Sequence, residues 1–413
     1  MSVGITPKQS GLTRRSLLKW SAAAAGVGAL SWSGWLTSGR ANEIKIAAVS
    51  DFSAPPFSAL TRDMMDGFRL ALEQAGNSAG GRGFQIIEAD EQNVPARGVE
   101  VTKKVIEQDK ADFIIGPISS AVAAGMRDVI AASNTVWMIS NAGNIELTGE
   151  RCARNIFRTS FSSWQTAYPF GPWAFQNVSQ SCFLAYANYA FGQQTGQYFT
   201  ESYTAKGGKI LGQVTPPLGT SDFSAFLPVI ANANPPAVFA FFSGSDAVAF
   251  VKQFAEFGLK DKIKLTGPGF LVEEDVLPAQ GDAALGVRSL LFWALTLENR
   301  NNILFRAAYK AKTSREPSVF AVQGYDTANI IVDMVNRLGG KLNNLDDTIR
   351  AAETTVINNS PRGFTVRFDP ATHNVILNMV VREVRKVNGQ ITNVVIDQLG
   401  EAIQPTFGCK LNK

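Results

Sequence analysis

The chain has 413 residues, 45% of them hydrophobic, with 39 Lys and Arg against 35 Asp and Glu. That is enough apolar material for two packed lobes, and the charge imbalance is too small for a nucleic-acid or membrane-surface binder. Five basic residues and no acidic one fall within residues 1–41, which leaves 34 against 35 in the remainder, so the pI near 8.9 mainly reflects the N-terminal segment.

That segment carries the first motif. Residues 13–19 read Thr-Arg-Arg-Ser-Leu-Leu-Lys, the pattern of a twin-arginine export signal, with Arg14 and Arg15 as the pair. Residues 20–39 are rich in Ala, Gly and Ser, too polar for a good bilayer span. Gly39-Arg40-Ala41 is a small-x-small cleavage site, so residues 1–41 are expected to be removed and the mature chain to work in the periplasm. An oxidising compartment permits one bridge among Cys152, Cys182 and Cys409, and spacing does not choose the pair. Cys182 opens the apolar run Cys-Phe-Leu-Ala-Tyr and reads as a core residue, which favours Cys152–Cys409. A chain folded before export must close such a bridge late or do without it.

From residue 43 short apolar runs alternate with amphipathic stretches. Strands are expected at 44–49, 84–88, 113–115 and 136–139, with helices at 61–75, 98–108 and 121–133. This βαβα rhythm predicts a doubly wound parallel sheet. It restarts with strands at 182–186, 209–214, 238–242 and 263–265 and helices at 193–206 and 247–257. After a strand at 287–292, three helices are expected at 303–312, 320–338 and 345–356. β character then returns at 365–368, 375–384 and 391–396. Asn388-Gly389 between the last two is a strong hairpin signal, because both residues tolerate positive φ.

Ligands of open α/β sheets bind beyond the carboxyl ends of the strands. Ser119-Ser120 follow the strand at 113–115, Ala142–Asn144 (142–144) follow that at 136–139, and Ser243-Gly244-Ser245 follow that at 238–242. Hydroxyls and free N–H groups at such helix starts suit a carboxylate. Ser120 reads as a ligand contact, while Ser243 and Ser245 read as helix caps. The aromatic residues Phe57, Trp164, Phe270 and Trp293 stand at loop or strand-end positions near the expected cleft, where ordinary core packing is the competing role.

Several motifs together carry a resemblance. They are Ile114-Ile115-Gly116-Pro117-Ile118-Ser119-Ser120, Met138-Ile139-Ser140-Asn141-Ala142-Gly143-Asn144, and Phe157-Arg158-Thr159, followed by Asn188-Tyr189-Ala190-Phe191-Gly192, Gly281-Asp282-Ala283-Ala284 and Gly324-Tyr325-Asp326. In this order and spacing the chain resembles a type I periplasmic solute-binding protein of the branched-chain amino-acid group, which feeds ABC importers. The resemblance implies two Rossmann-like α/β lobes joined by a three-crossover hinge, with a small-molecule solute in the cleft. It implies the lobes 42–163 with 272–362 and 164–271 with 363–413. It further implies that Ser120 and Asn144 contact the ligand by side chain and Ala142 by backbone. Phe191 would supply an aromatic from the second lobe with Tyr189 close by, and Trp164, Phe270 and Trp293 would lie near. The expected partners are importer membrane subunits, with no nucleic acid, no cofactor and no metal. Gly324, Tyr325 and Asp326 read as structural.

The chain departs from the pattern where an amino-acid ligand would need counter-charges. A buried ammonium must be paired. After Gly267-Pro268, where leucine-binding relatives often carry an acid, stands Gly269; after Phe157-Arg158-Thr159 the chain reads Ser160-Phe161-Ser162-Ser163-Trp164, again without an acid. An aromatic or aliphatic carboxylate or a neutral amide fits better, unless Glu273 or Asp246 supplies the charge. A true branched-chain amino-acid binder and a ligand-binding sensor are the alternatives. An enzyme is disfavoured: the single histidine, His373, reads as part of a surface turn, and there is no G-x-G-x-x-G or P-loop.

Overall fold

A computed structural model of the chain describes Met1 and residues 43–411. The twin-arginine motif and its cleavage site lie outside the described residues. Residues 43 onward form their own compact unit.

The first lobe contains β1 (Ile44–Ser50), α1 (Ser58–Gln74), β2 (Ser78–Ala79), β3 (Arg82–Asp90), α2 (Pro95–Glu107), β4 (Phe113–Ile115), α3 (Ser120–Ala131), β5 (Val136–Ile139) and β6 (Ile156–Arg158). Its sheet runs β2-β3-β1-β4-β5-β6, parallel except for the short β2–β3 pair. The middle strands are apolar on both faces because helices cover both. Ile46 and Ala48 belong to the core under α1, whereas Ala47 and Val49 belong to the core under α2 and α3.

The chain then crosses to the second lobe through α4 (Ser163–Ala167) and α5 (Phe170–Asn177). There follow β7 (Ser181–Tyr186), α6 (Ala190–Ala205), β8 (Lys209–Val214), α7 (Leu227–Ala233), β9 (Ala237–Phe241), α8 (Ser245–Glu256), β10 (Lys264–Pro268), α9 (Leu277–Gln280) and β11 (Arg288–Leu291). It returns to the first lobe as α10 (Arg300–Thr313), α11 (Val319–Arg337), α12 (Leu345–Glu353), β12 (Val356–Ile357) and β13 (Val366–Arg367). α11 packs along α1, and glycines make the close crossing possible: a Cβ on Gly324 would run into the Met64 carbonyl. A third crossing leads into the hairpin β14 (Leu377–Val387) and β15 (Gln390–Ala402), turned by Asn388 and Gly389 at φ 50° and 84°. The second sheet is β15-β14-β11-β10-β9-β7-β8, with only the hairpin strands antiparallel.

Two placements differ from the expected lobe boundaries. Residues 272–291 stay with the second lobe, since β11 pairs with β10 and β14. Beyond β15 the tail turns back to the first lobe: the Gln404 side chain bonds to Thr148 through its oxygen (3.1 Å) and its nitrogen (2.8 Å), and a disulfide joins Cys409 to Cys152. Cys182 is buried as expected. His373 follows a turn, but its ring is not at the surface. It is 1% exposed and stacks on Phe157 at 4.0 Å between ring centroids, because the following Asn374 bridges to Arg158 and draws the turn inward.

Candidate ligand-binding cleft

Strand order places the cleft. In the first sheet the winding direction reverses between β1 and β4, and in the second between β7 and β9. Segments leaving those strands diverge and open a crevice. They deliver Phe57 after β1, Ile118 and Ser120 after β4, Tyr189 and Phe191 after β7, and Phe241 and Ser243 at the end of β9. These residues, with Leu60, Asn141, Gly143, Phe161, Phe270 and Phe320, bound a narrow cavity of about 20 Å³, room for about one water between the two walls. A larger hollow of about 330 Å³ lies at the opposite, amino ends of β10 and β11, beside Lys264 and Arg288.

The cavity wall is an aromatic box. Phe161 and Phe191 meet edge-to-face at 5.5 Å, Phe191 and Phe241 at 4.8 Å, and Phe161 lies 4.7 Å from Phe270. Phe320 stands 6.0 Å behind Phe270, and Phe57 faces Tyr189 from the other lobe at 6.5 Å. Such rings bury a large apolar area with directional edge and face contacts. Gly143 makes the close approach possible, since a Cβ there would run into the rings of Phe191 and Phe161.

Polar groups are few: Ser120 and Asn141 from the first lobe, Tyr189 and Ser243 from the second. Ser119, not Ser120, caps α3 by accepting from the Val122 N–H at 3.5 Å. Ser120 is thereby left 2% exposed at the cavity, and its hydroxyl bonds to no other described residue. The first N–H groups of a helix have no intrahelical acceptor, so those of Ser120 and Ala121 are available beside it. Arg158 lies fully buried behind the neighbouring loop. It donates to the carbonyls of Ala142 (3.2 Å) and Asn144, to the Thr148 hydroxyl (2.6 Å) and to Asn374 (3.2 Å), and no carboxylate among the described residues pairs with it. Burial lowers its pKa to about 9, so it keeps its positive charge at neutral pH.

Among the described residues no acid lines the cavity. Glu273 is committed to Arg382 at 2.7 Å and to the Val319 N–H at 2.8 Å, both partners buried. At Gly269 a side chain would run into the Arg382 guanidinium, which donates to the Gly269 carbonyl at 3.0 Å. Asp246 accepts from the Gly219 N–H at 2.7 Å, and burial raises its pKa to about 6.

The sequence profile of the periplasmic binding protein family matches residues 43–390. The chain belongs to that family. It is similar to the Leu/Ile/Val-binding protein homolog 6 of Brucella melitensis, 27% identical over 355 residues, which cover 84% of this chain and 89% of the relative. A solute-binding protein of an R. palustris ABC transporter, solved in complex with benzoate, superposes with a TM-score of 0.85 at 29% identity, covering 90% of this chain and all of that one. A second from R. palustris, in complex with 4-hydroxybenzoate, superposes with a TM-score of 0.83 at 26% identity, covering 89% and 99%. This periplasmic binding protein is therefore a solute-binding component of ABC transport with a two-lobed α/β fold, from a family that binds rather than turns over its ligands.

Of the eight residues singled out in its sequence, Ser120, Tyr189, Phe191 and Phe270 come together at the cavity. The other four do not line it. The Ala142 N–H donates to the Pro117 carbonyl at 3.0 Å and its own carbonyl is held by Arg158. Asn144 caps a short 3-10 helix and accepts from Gln194 at 2.9 Å. Trp164 is half-buried on α4, stacked on Tyr168, and Trp293 is wholly buried and donates to Asn302 at 2.9 Å. Ser243 does not cap α8: the capping position is Gly244, at φ 58°, and Ser243 faces the cavity instead. Phe241 could have been found from its place at a strand end. Phe161 and Phe320 come from a crossing segment and a returning helix, and carry no local signal.

Proposed function

We propose that this protein binds a small aromatic carboxylate and delivers it to the membrane subunits of an importer after hinge closure. The observation that carries the reading is an aromatic box whose ligand-facing polar end is a helix start with the free Ser120 hydroxyl, with no carboxylate on its wall. The buried, unpaired Arg158 behind the loop adds an attractive potential for an anion. A free amino acid would bring an ammonium with no counter-charge, since Glu273 is occupied by Arg382 and Gly269 carries no side chain. Ligand contacting both lobes favours the closed arrangement over the open one.

The test is titration calorimetry on refolded, ligand-free protein, comparing phenylalanine and leucine with benzoate, 3-phenylpropanoate and 4-methylpentanoate. The acids are expected to bind tighter than the amino acids, and benzoate tightest. Tighter binding of leucine would replace this reading with that of a branched-chain amino-acid binder. We further infer export by the twin-arginine route from residues 13–19. Replacing Arg14 and Arg15 by Lys should retain the precursor in the cytoplasm, and normal periplasmic accumulation would refute the route.

A further inference from the structure

A second hollow, of about 630 Å³, lies beside the cleft and is walled by both lobes. From the first lobe come Arg62 and Asp63 of α1 with Arg315 and Glu316, which precede α11; from the second come Glu274 and Asp275. The same first-lobe helices wall the cleft, through Leu60 of α1 and Phe320 of α11, so a movement that parts the lobes at the cleft parts them here too. Consecutive residues at the start of α11 hold an acid from each lobe. The Ser318 hydroxyl donates to Asp63 at 2.7 Å, and the Val319 N–H donates to Glu273 at 2.8 Å. Asp63 of the first lobe and the run Glu273-Glu274-Asp275 of the second therefore meet across the seam.

Among the described residues, Asp275 alone of these acids lacks a counter-charge or a donor. Asp63 is bonded to Arg315 and lies 3.3 Å from the Tyr309 hydroxyl, and Arg315 also takes Asp66. Glu316 pairs with Lys310. Glu273 has Arg382 at 2.7 Å, and Glu274 accepts from the Thr392 hydroxyl and the Asn393 N–H, each at 3.0 Å. The inner oxygen of Asp275, Oδ1, is enclosed and bonds to no other described residue, and no described cation pairs with this carboxylate, the exposed Arg62 at the same hollow included. A carboxylate enclosed among other acids favours its neutral form. Burial first, then the charges of Asp63 and Glu273, raises the pKa of Asp275 well above the ordinary carboxylate range. The charge of Asp63 and the first-lobe wall of the hollow are both withdrawn when the lobes part.

We propose that closure of the lobes is coupled to uptake of a proton by Asp275, so that the protein holds its solute more tightly as pH falls. This rests on the hinge closure of the proposed function and not on which solute is bound. With the lobes parted, Asp275 faces water and ionises near its ordinary value of 3.8. With the lobes closed, it keeps its proton to a higher pH. Between the two values the closed form binds one proton more than the open form, so acid favours closure and alkali opposes it. The linkage is reciprocal: solute binding draws in a proton, and the proton strengthens the hold on the solute.

The experiment follows benzoate affinity by calorimetry from about pH 8 to about pH 5.5, where benzoate stays ionised, in wild type and Asp275→Asn, each in two buffers of different protonation enthalpy. Wild type is expected to bind about tenfold tighter at the acid end and to take up protons on binding. Asp275→Asn, which keeps the neutral shape at every pH, should bind at the alkaline end as tightly as wild type does at the acid end, and lose most of the pH dependence. Titration of Asp246 or Glu274 persists in the variant, so the difference between the two proteins reports Asp275. Equal pH profiles, or a wild type that binds without proton uptake, overturn the inference and leave the aromatic-acid reading standing. Small-angle scattering of the ligand-free protein gives a readout independent of the solute. Wild type should be more compact at the acid end than at the alkaline end, and Asp275→Asn equally compact at both. If benzoate does not bind, the aromatic-acid reading fails, and the scattering comparison still decides the proton linkage. Asp275→Ser, which also removes the charge, carries the same comparisons if the asparagine variant does not fold.

Discussion

At the residue scale, two neighbours on the first lobe have separable roles. Ser120 offers a hydroxyl that nothing else uses, and Ser119 already caps α3. Ser120→Ala should therefore leave stability within about 0.5 kcal/mol and weaken ligand binding by about 1 kcal/mol or more, the scale of a hydrogen bond to a charged group. Calorimetry together with a urea melt checks both, and an unchanged dissociation constant would remove Ser120 from the site. Gly143 offers nothing but space. Its backbone needs no positive φ, so alanine is tolerated locally, but the added Cβ would strike Phe191 and Phe161. Gly143→Ala should thus obstruct closure, weaken the ligand about tenfold or more, and leave the compaction on ligand addition smaller in small-angle scattering. Full compaction with unchanged affinity would show that Phe191 yields.

At the element scale, the carboxyl ends of β1 and β3 place two acids side by side. Asp51 and Glu91 are both fully buried, and burial first, then the charge of Asp51, raises the pKa of Glu91 to about 8. Below pH 4.5 Glu91 is protonated folded or unfolded. Between pH 4.5 and 8 the unfolded chain releases the proton and the native one keeps it. The native state therefore binds more protons, and stability falls as pH rises through that window. Glu91→Gln removes the titration while keeping the shape, so its gain over wild type should grow from pH 5 to pH 8, reaching roughly 1–3 kcal/mol by denaturant unfolding. Parallel pH profiles for the two proteins would contradict this. Depressed burial energetics also apply to His373, whose ring stacks on Phe157 and whose pKa is lowered chiefly by burial, with the carboxylate of Glu353 at 3.1 Å acting the other way.

At the scale of the whole binding unit, the chain passes between the lobes three times and its tail makes a further connection. Phe407 lies 5.5 Å from Tyr198 of the second lobe, while Gln404 and Cys409 are tied to Thr148 and Cys152 of the first. The bridge spans 257 residues, and cross-links closing long loops constrain the unfolded chain most. Cys409→Ser should lower the unfolding free energy by about 2–5 kcal/mol, and a reductant should have the same effect on the wild type and none on the variant. Equal midpoints with and without reductant would show that the bridge is dispensable. Cys182 should resist thiol reagents in the native state throughout, since burial pushes its pKa up to about 12.

The alternation of apolar runs and amphipathic stretches by itself determined the two α/β lobes, the Asn388-Gly389 hairpin and the strand-end segments that carry Ser120, Tyr189 and Phe191, because these follow from local periodicity and turn chemistry. Sequence also showed the missing carboxylates, since an absent side chain is visible without coordinates. It did not show that Arg382 fills the space beside Gly269 and neutralises Glu273, because those residues are more than a hundred positions apart. Nor did it separate Phe161, Phe241 and Phe320, which wall the cavity, from Trp164 and Trp293, which do not. Aromatic character is the same in both sets, and only the register of the crossing segments and the docking of α11 against α1 decide which rings face the cleft. The placement of residues 272–291 with the second lobe has the same origin: β11 at their end chooses its partners by long-range pairing, on which local composition is silent.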